Sequence, residues 1–138
     1  MIIDANNKIV GRIATVAAKA SLLGENVDIV NCENSFVSGN KYSVIKDFEH
    51  KRERGSMAKG PFWPRNPERV VRRIIRGMLP YKAERGRKAF ERIKCYVGVP
   101  DGMDITNSEK VKGAEITKLK TLNYIQLKDV CKQLGAKI

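Results

Sequence analysis

The run from residue 66 to residue 80, NPERVVRRIIRGMLP, leaves the chain little freedom in how it can fold. Asn66 is a good N-cap, Pro67 suits the first helical position, and Glu68 is an acid where the helix dipole favours one. Pro80 lacks an N–H and disfavours helical geometry at Leu79, so the helix has to stop there. At about 100° per residue, Arg69, Arg72, Arg73 and Arg76 fall within about one-third of the circumference, while Val70, Val71, Ile74, Ile75, Met78 and Leu79 fill the opposite half. Such a helix must lay one face on a core and hold four guanidiniums away from it. The rest of the chain has to supply that core.

A second helix, over residues 83–94, repeats the scheme. Ala83, Gly86, Ala89, Phe90 and Ile93 make its apolar side, and Arg85, Lys88 and Arg92 share a basic side. Widening the window to residues 51–94 gathers fifteen Lys or Arg (adding Lys51, Arg52, Arg54, Lys59, Arg65, Lys82, Arg87 and Lys94) against four acids, a local charge of +11 in a chain of +12. A surface made only for solubility mixes the signs. This one does not, and localised charge of one sign marks a binding surface. Arginine dominates it, and the planar guanidinium fork suits phosphate oxygens and stacks on bases in a way lysine cannot.

With 138 residues and 42% hydrophobic content, the chain is expected to form one globular domain with a real core, not a disordered basic tail. A pI near 9.9 points to a polyanionic partner, nucleic acid first and an anionic membrane surface second. No apolar run has the length of a membrane span, and the start lacks the basic-then-apolar pattern of a signal peptide, so a soluble intracellular protein is expected. Cys32, Cys95 and Cys131 are scattered, no CxxC occurs, and His50 is the sole histidine. No metal site is expected; the cysteines read as small buried hydrophobes in a reducing cytosol.

In chain order, residues 1–5 read as a strand and Asn6-Asn7 as a turn. A helix follows from residue 10 or 11 to 23, with Ile13, Val16, Ala17 and Ala20 on one face and Gly24 as a left-handed cap. Residues 27–30 read as a strand covered on both faces of a parallel sheet. The first strand–helix loop has one glycine, Gly11. The dinucleotide fingerprint needs three and the phosphate-cradling loop two plus Lys-Ser/Thr, so a mononucleotide site is not expected. Residues 35–38 form a weak third strand. Tyr42, Ile45 and Phe48 recur at helical spacing and lead into Lys51-Arg52-Glu53-Arg54. Residues 56–65 make a Gly- and Pro-rich loop carrying Phe62 and Trp63 side by side; two roles are open to that pair, stacking on bases or capping the core. Residues 95–97 read as a last parallel strand. Residues 101–121 are polar and irregular, and Leu127, Val130, Cys131 and Leu134 mark a final helix capped by Gly135.

Catalytic groupings are thin. His50 stands alone in a basic run, Asp4 has no partner carboxylate or nucleophile and is expected to order the turn after it, and no serine has a G-x-S-x-G context.

The central motifs resemble a known family. Ile75-Arg76-Gly77-Met78-Leu79-Pro80, then Gly86-Arg87, then Ile93-Lys94-Cys95-Tyr96-Val97-Gly98, are similar to the signature of the L-thirteen family of large-subunit ribosomal proteins. Asp4-Ala5, Val10-Gly11-Arg12-Ile13-Ala14, Val30-Asn31 and Ser38-Gly39-Asn40 also look like that family. The resemblance covers roughly the first hundred residues; the compact length and the Gly60-Pro61-Phe62 loop resemble the archaeal and eukaryotic branch, the archaeal in particular. Cys95 departs from the aliphatic residue common there.

The resemblance implies a three-layer α/β/α domain over residues 1–138, with a small, mostly parallel four-stranded sheet and a basic helical and loop extension. It implies a structural constituent of the large ribosomal subunit in the cytoplasm. Such a protein binds large-subunit rRNA, touches neighbouring ribosomal proteins, supports assembly and translation, and has no enzymatic activity, cofactor, membrane or small-molecule substrate. A regulator of translation acting on RNA away from the ribosome is the alternative. The RNA-binding residues expected are Lys51, Arg52, Arg54, Lys59, Phe62, Trp63, Arg65, Arg69, Arg72, Arg73, Arg76, Gly77, Lys82, Arg85, Arg87, Lys88 and Arg92. By position in the motif, Arg76 would face RNA, Gly77 would allow close backbone approach, and Met78 and Leu79 would anchor to the core.

Overall fold

The computed structural model describes residues 1–138 as an α/β fold. The order is β1 (Ile2–Asp4), α1 (Val10–Leu23), β2 (Val27–Val30), β3 (Phe36–Ser38), α2 (Lys41–Glu53), α3 (Pro67–Met78), α4 (Glu84–Glu91), β4 (Ile93–Cys95), β5 (Tyr124–Gln126) and α5 (Leu127–Gln133). Strands β1, β2 and β4 form a parallel sheet in that order, with Ile3 beside Ile29 and Ile29 beside Cys95. The two crossovers step the same way across the sheet, so a right-handed path brings both sets of helices to one face. Helix α1 packs on α3 and α4 there.

The strands therefore divide three and two, not four in one sheet. Residues 35–38 were expected as a weak third strand in a mostly parallel four-stranded sheet; β3 lies outside that sheet and pairs antiparallel with β5, Val37 opposite Ile125. Register explains a second correction. Ile3, Val27, Ile29 and Ile93 point to the helices and are fully buried, whereas Ile2, Asp4 and Asp28 are half-buried on the other face and Lys94 is exposed there. Asp28 breaks the apolar run of β2, and although Val30 on the same side is fully buried, that side of the sheet is open to solvent at Lys94.

Helix α1 is a close-packing element because its buried face is built mostly of alanine: Ala14, Ala17, Ala18 and Ala20 join Val10 and Ile13. Buried Ser21 donates to the Ala18 carbonyl at 2.9 Å, which satisfies its hydroxyl. Gly24, at φ 105°, ends the helix with its N–H on the carbonyls of Ala20 and Ser21. Asp4 orders its turn as expected: its Oδ1 accepts from the Asn6 N–H at 3.1 Å and from Asn31 Nδ2 at 2.8 Å.

The 101–121 segment has turns and two single-turn 3-10 segments but no strand or α-helix. It is tied down at several points: the Glu109 N–H donates to the Ile2 carbonyl along the outer edge of β1, the Ile9 N–H donates to Ala114, and Val111 and Ala114 are buried. All three cysteines are free thiols. Burial, with Glu68 adding to it, pushes the Cys131 thiol up to about 12, and a hydrogen bond with the Cys95 thiol, then burial, pushes Cys32 up as well.

Candidate nucleic-acid interface

Helix α3 takes the bounds its sequence dictates. Its apolar face buries Val70, Val71 and Ile75 completely or nearly so, and Leu79 just beyond the helix is 5% exposed. Each such side chain contributes roughly 1.5–3 kcal/mol on leaving water. Met78, expected to anchor to the core, is 43% exposed: it ends the last turn, with its sulfur 3.9 Å from the Thr15 hydroxyl. Asn66 precedes the helix in extended conformation, though its side chain makes no capping bond.

The opposite face presents Arg69 exposed and Arg72, Arg73 and Arg76 half-buried. None of the four forms a salt bridge; the three ion pairs in the molecule are Lys51–Asp47, Arg52–Glu53 and Lys88–Glu84. Three of the guanidiniums lie instead over aromatic rings. Arg72 is 4.5 Å from the Phe90 centroid, Arg73 is 5.6 Å from Trp63 and Arg76 is 4.8 Å from Tyr81. These contacts stabilise a cation modestly and fix the plane of each fork without neutralising it. Burial first, then the like charge of Arg76, push the Arg73 guanidinium below its ordinary value. A row of crowded cations without carboxylates is half of an ion-pair system whose other half comes from outside.

The quartet lines a cleft of about 240 Å³ with Phe62, Pro64 and Phe90. Arg65 joins Phe62, Trp63 and Arg69 around an adjoining groove of about 390 Å³. The aromatic pair divides its roles: Phe62 is 71% exposed, while Trp63 is half-buried and meets Phe48 edge-on at 6.0 Å. Lys51 lies 5.5 Å from the Trp63 ring and so belongs to the same neighbourhood.

The remaining expected residues are dispersed. Arg52 donates to the Leu134 carbonyl at 3.3 Å and Arg92 to the Ser21 carbonyl at 3.2 Å, each capping the C-terminal end of another helix. Lys88 pairs with Glu84 at 2.7 Å. Arg85, Lys88 and Arg92 border a separate groove beside Leu22, Leu23 and Gly24. Arg54 is exposed and donates to His50, Lys59 and Arg87 are exposed, and Lys82 edges the Pro80 turn. Gly77 is exposed with open space where a side chain would stand.

Sequence reasoning missed two parts. Phe90 and Tyr81 serve as platforms beneath guanidiniums, which no spacing rule reveals because the partners lie on different elements. Gly86, read as part of an apolar side and of the family motif but given no packing role, is buried, and a Cβ there would collide with the Pro80 carbonyl oxygen. The adjacency of a lone helical glycine to a proline turn was the available signal. Helix α4 also stops at Glu91, and β4 occupies 93–95 instead of 95–97, because the Val27 N–H takes the Arg92 carbonyl and pulls Ile93 into register.

The model of the family described as "Ribosomal protein L13" matches residues 1–102. The chain belongs to this ribosomal protein family. It is 43% identical over 136 residues to the "Large ribosomal subunit protein uL13" of Methanococcoides burtonii, covering 99% of this chain and 98% of that one. It is 44% identical over 140 residues to the protein of the same name from Methanocaldococcus jannaschii, again covering 99% and 98%. The Archaeoglobus fulgidus protein of that name is 42% identical over 135 residues, 97% of this chain and 86% of the other. Membership makes the chain a structural protein of translation and not an enzyme, and places it in the large ribosomal subunit in the cytoplasm. No helix is long and apolar enough to cross a membrane, and no group of three His, Cys, Asp or Glu side chains gathers as a metal site.

Proposed function

We propose that the chain binds large-subunit rRNA as a single domain over residues 1–138, and so supports subunit assembly and translation beside neighbouring ribosomal proteins. The α3 face is the centre of contact. The observation that carries this reading is the absence of any carboxylate partner for Arg69, Arg72, Arg73 and Arg76 in a family of large-subunit proteins. Phosphate oxygens complete those four cations, and releasing the counterions that surround RNA supplies most of the affinity. The seat of α3 on the core fixes the register of the cations, so they meet a backbone of matching shape without reading base edges.

Arg65 and Lys51 extend the face from the Trp63 neighbourhood, and Arg85, Arg87 and Lys88 add weaker contacts from α4. Arg52 and Arg92 act mainly by holding helix ends. Sedimentation of cell lysate at low and at high salt tests the proposal: the protein is expected with the large subunit in both, and its presence only in light fractions would refute it.

A further inference from the structure

One aromatic side chain beside the α3 arginines differs from the others. Phe90, Trp63 and Tyr81 each have a guanidinium over a face. Phe62 has none, and its ring is 71% exposed. Lone exposed aromatics are ordinary on protein surfaces, so exposure by itself says little. The surroundings say more. Phe62 stands on the rim of the 240 Å³ cleft whose other wall is the α3 arginine quartet. Arg72 contributes an Nε that is buried without a hydrogen-bond partner. Just before Phe62 the chain makes a closed turn, in which Ser56 and Gly60 exchange N–H to carbonyl bonds of 3.2 and 2.9 Å. A side chain at Gly55 would collide with the Gly60 carbonyl, so that closure depends on glycine. The ring itself lies against Gly60, where a Cβ would stand only 3.1 Å from its Cδ2 and Cε2.

A continuous RNA helix would use these arginines but has no use for a free aromatic face in a concavity, since its bases are stacked on one another. An unpaired nucleotide offers both a phosphate and a π face. The cleft is also smaller than the roughly 300–1,000 Å³ that encloses a free ligand, which suits one unit of a strand held at both ends. We propose that the cleft between Phe62 and α3 receives a single unpaired nucleotide of RNA, its base stacked on Phe62 and its phosphate among Arg69, Arg72 and Arg76. This rests on the rRNA reading above and adds the kind of RNA engaged: a bulge, loop or strand end.

The test uses the full chain with two fluorescent probes, a short oligouridine and a blunt RNA duplex of the same length. Phe62→Leu keeps an apolar side chain at an exposed position and removes the aromatic face. It is expected to weaken oligouridine binding about tenfold, with the salt dependence unchanged and duplex affinity within about twofold; Phe62→Tyr is expected to restore it. Oligouridine carrying iodouracil should photocross-link to the peptide containing Phe62. Equal weakening of both probes, or none by Phe62→Leu, would overturn this inference and leave the general RNA reading standing. Wild-type protein that bound neither probe would overturn the RNA reading and this inference with it.

Discussion

Helices α3 and α4 are both basic and both pack on α1, but they are seated and charged in opposite ways. Helix α3 docks through Val70, Val71 and Ile75, large aliphatic side chains that fill the space to α1 and β4. Helix α4 buries Gly86 and Ala89, so its backbone comes right up to the Pro80 turn. On α3 the outward charges are unpaired, and three of the four, Arg72, Arg73 and Arg76, are half-buried and laid on aromatic rings. On α4 they are exposed, or engaged by Glu84 and the Ser21 carbonyl. A similar density of Lys and Arg thus gives a preorganised site in one case and an accessory surface in the other. What separates them is whether the protein answers its own charges.

The comparison can be broken first at the seats. Ile75→Ala opens a cavity under α3 and should lower unfolding free energy by about 2–5 kcal/mol, measured by urea denaturation. Gly86→Ala forces a methyl group against the Pro80 carbonyl and should cost about 1–3 kcal/mol or more. Its effect should be on stability, with the α3 arginines still binding RNA in whatever fraction remains folded.

The seats also show what was legible in the sequence. Helices α1 and α3 could be bounded closely because local chemistry marks their ends: Gly24 for one, Asn66-Pro67 and Pro80 for the other. The core face of α3 followed from period alone, except at Met78, where the helix outruns the surface it packs on. The β3–β5 ribbon was not legible, since Val37 and Ile125 are far apart in sequence and no local signal encodes a long-range antiparallel register. The α4 boundary failed because Ile93 and Lys94 fit a helix as readily as a strand until β2 is placed beside them. Within the candidate site, the gathering of the arginine quartet on one outward face was legible, but Phe62 and Trp63 could not be told apart; only the packing of Phe48 against Trp63 separates two adjacent aromatics.

Charge removal sharpens the same contrast at smaller energies. Arg72→Ala with Arg73→Ala should weaken RNA binding tenfold or more and reduce the slope of log affinity against log salt by about 1.5–2. Arg85→Ala with Lys88→Ala should cost about threefold, and fluorescence titration at several salt concentrations distinguishes the two. The smallest effect should come from Glu84→Ala. It releases Lys88 from an exposed i,i+4 pair, changing stability by less than about 0.5 kcal/mol and raising RNA affinity about twofold.

The central claim is that the α3 face, and not basic charge in general, carries attachment to the ribosome. Its most direct test expresses the Arg72→Glu, Arg76→Glu variant beside an Arg85→Glu, Lys88→Glu variant of equal charge change, and quantifies each in purified large subunits after circular dichroism has shown both folded. The account predicts that the α3 variant is absent from the subunits and that the α4 variant is retained. Incorporation of the folded α3 variant at the wild-type level would contradict it.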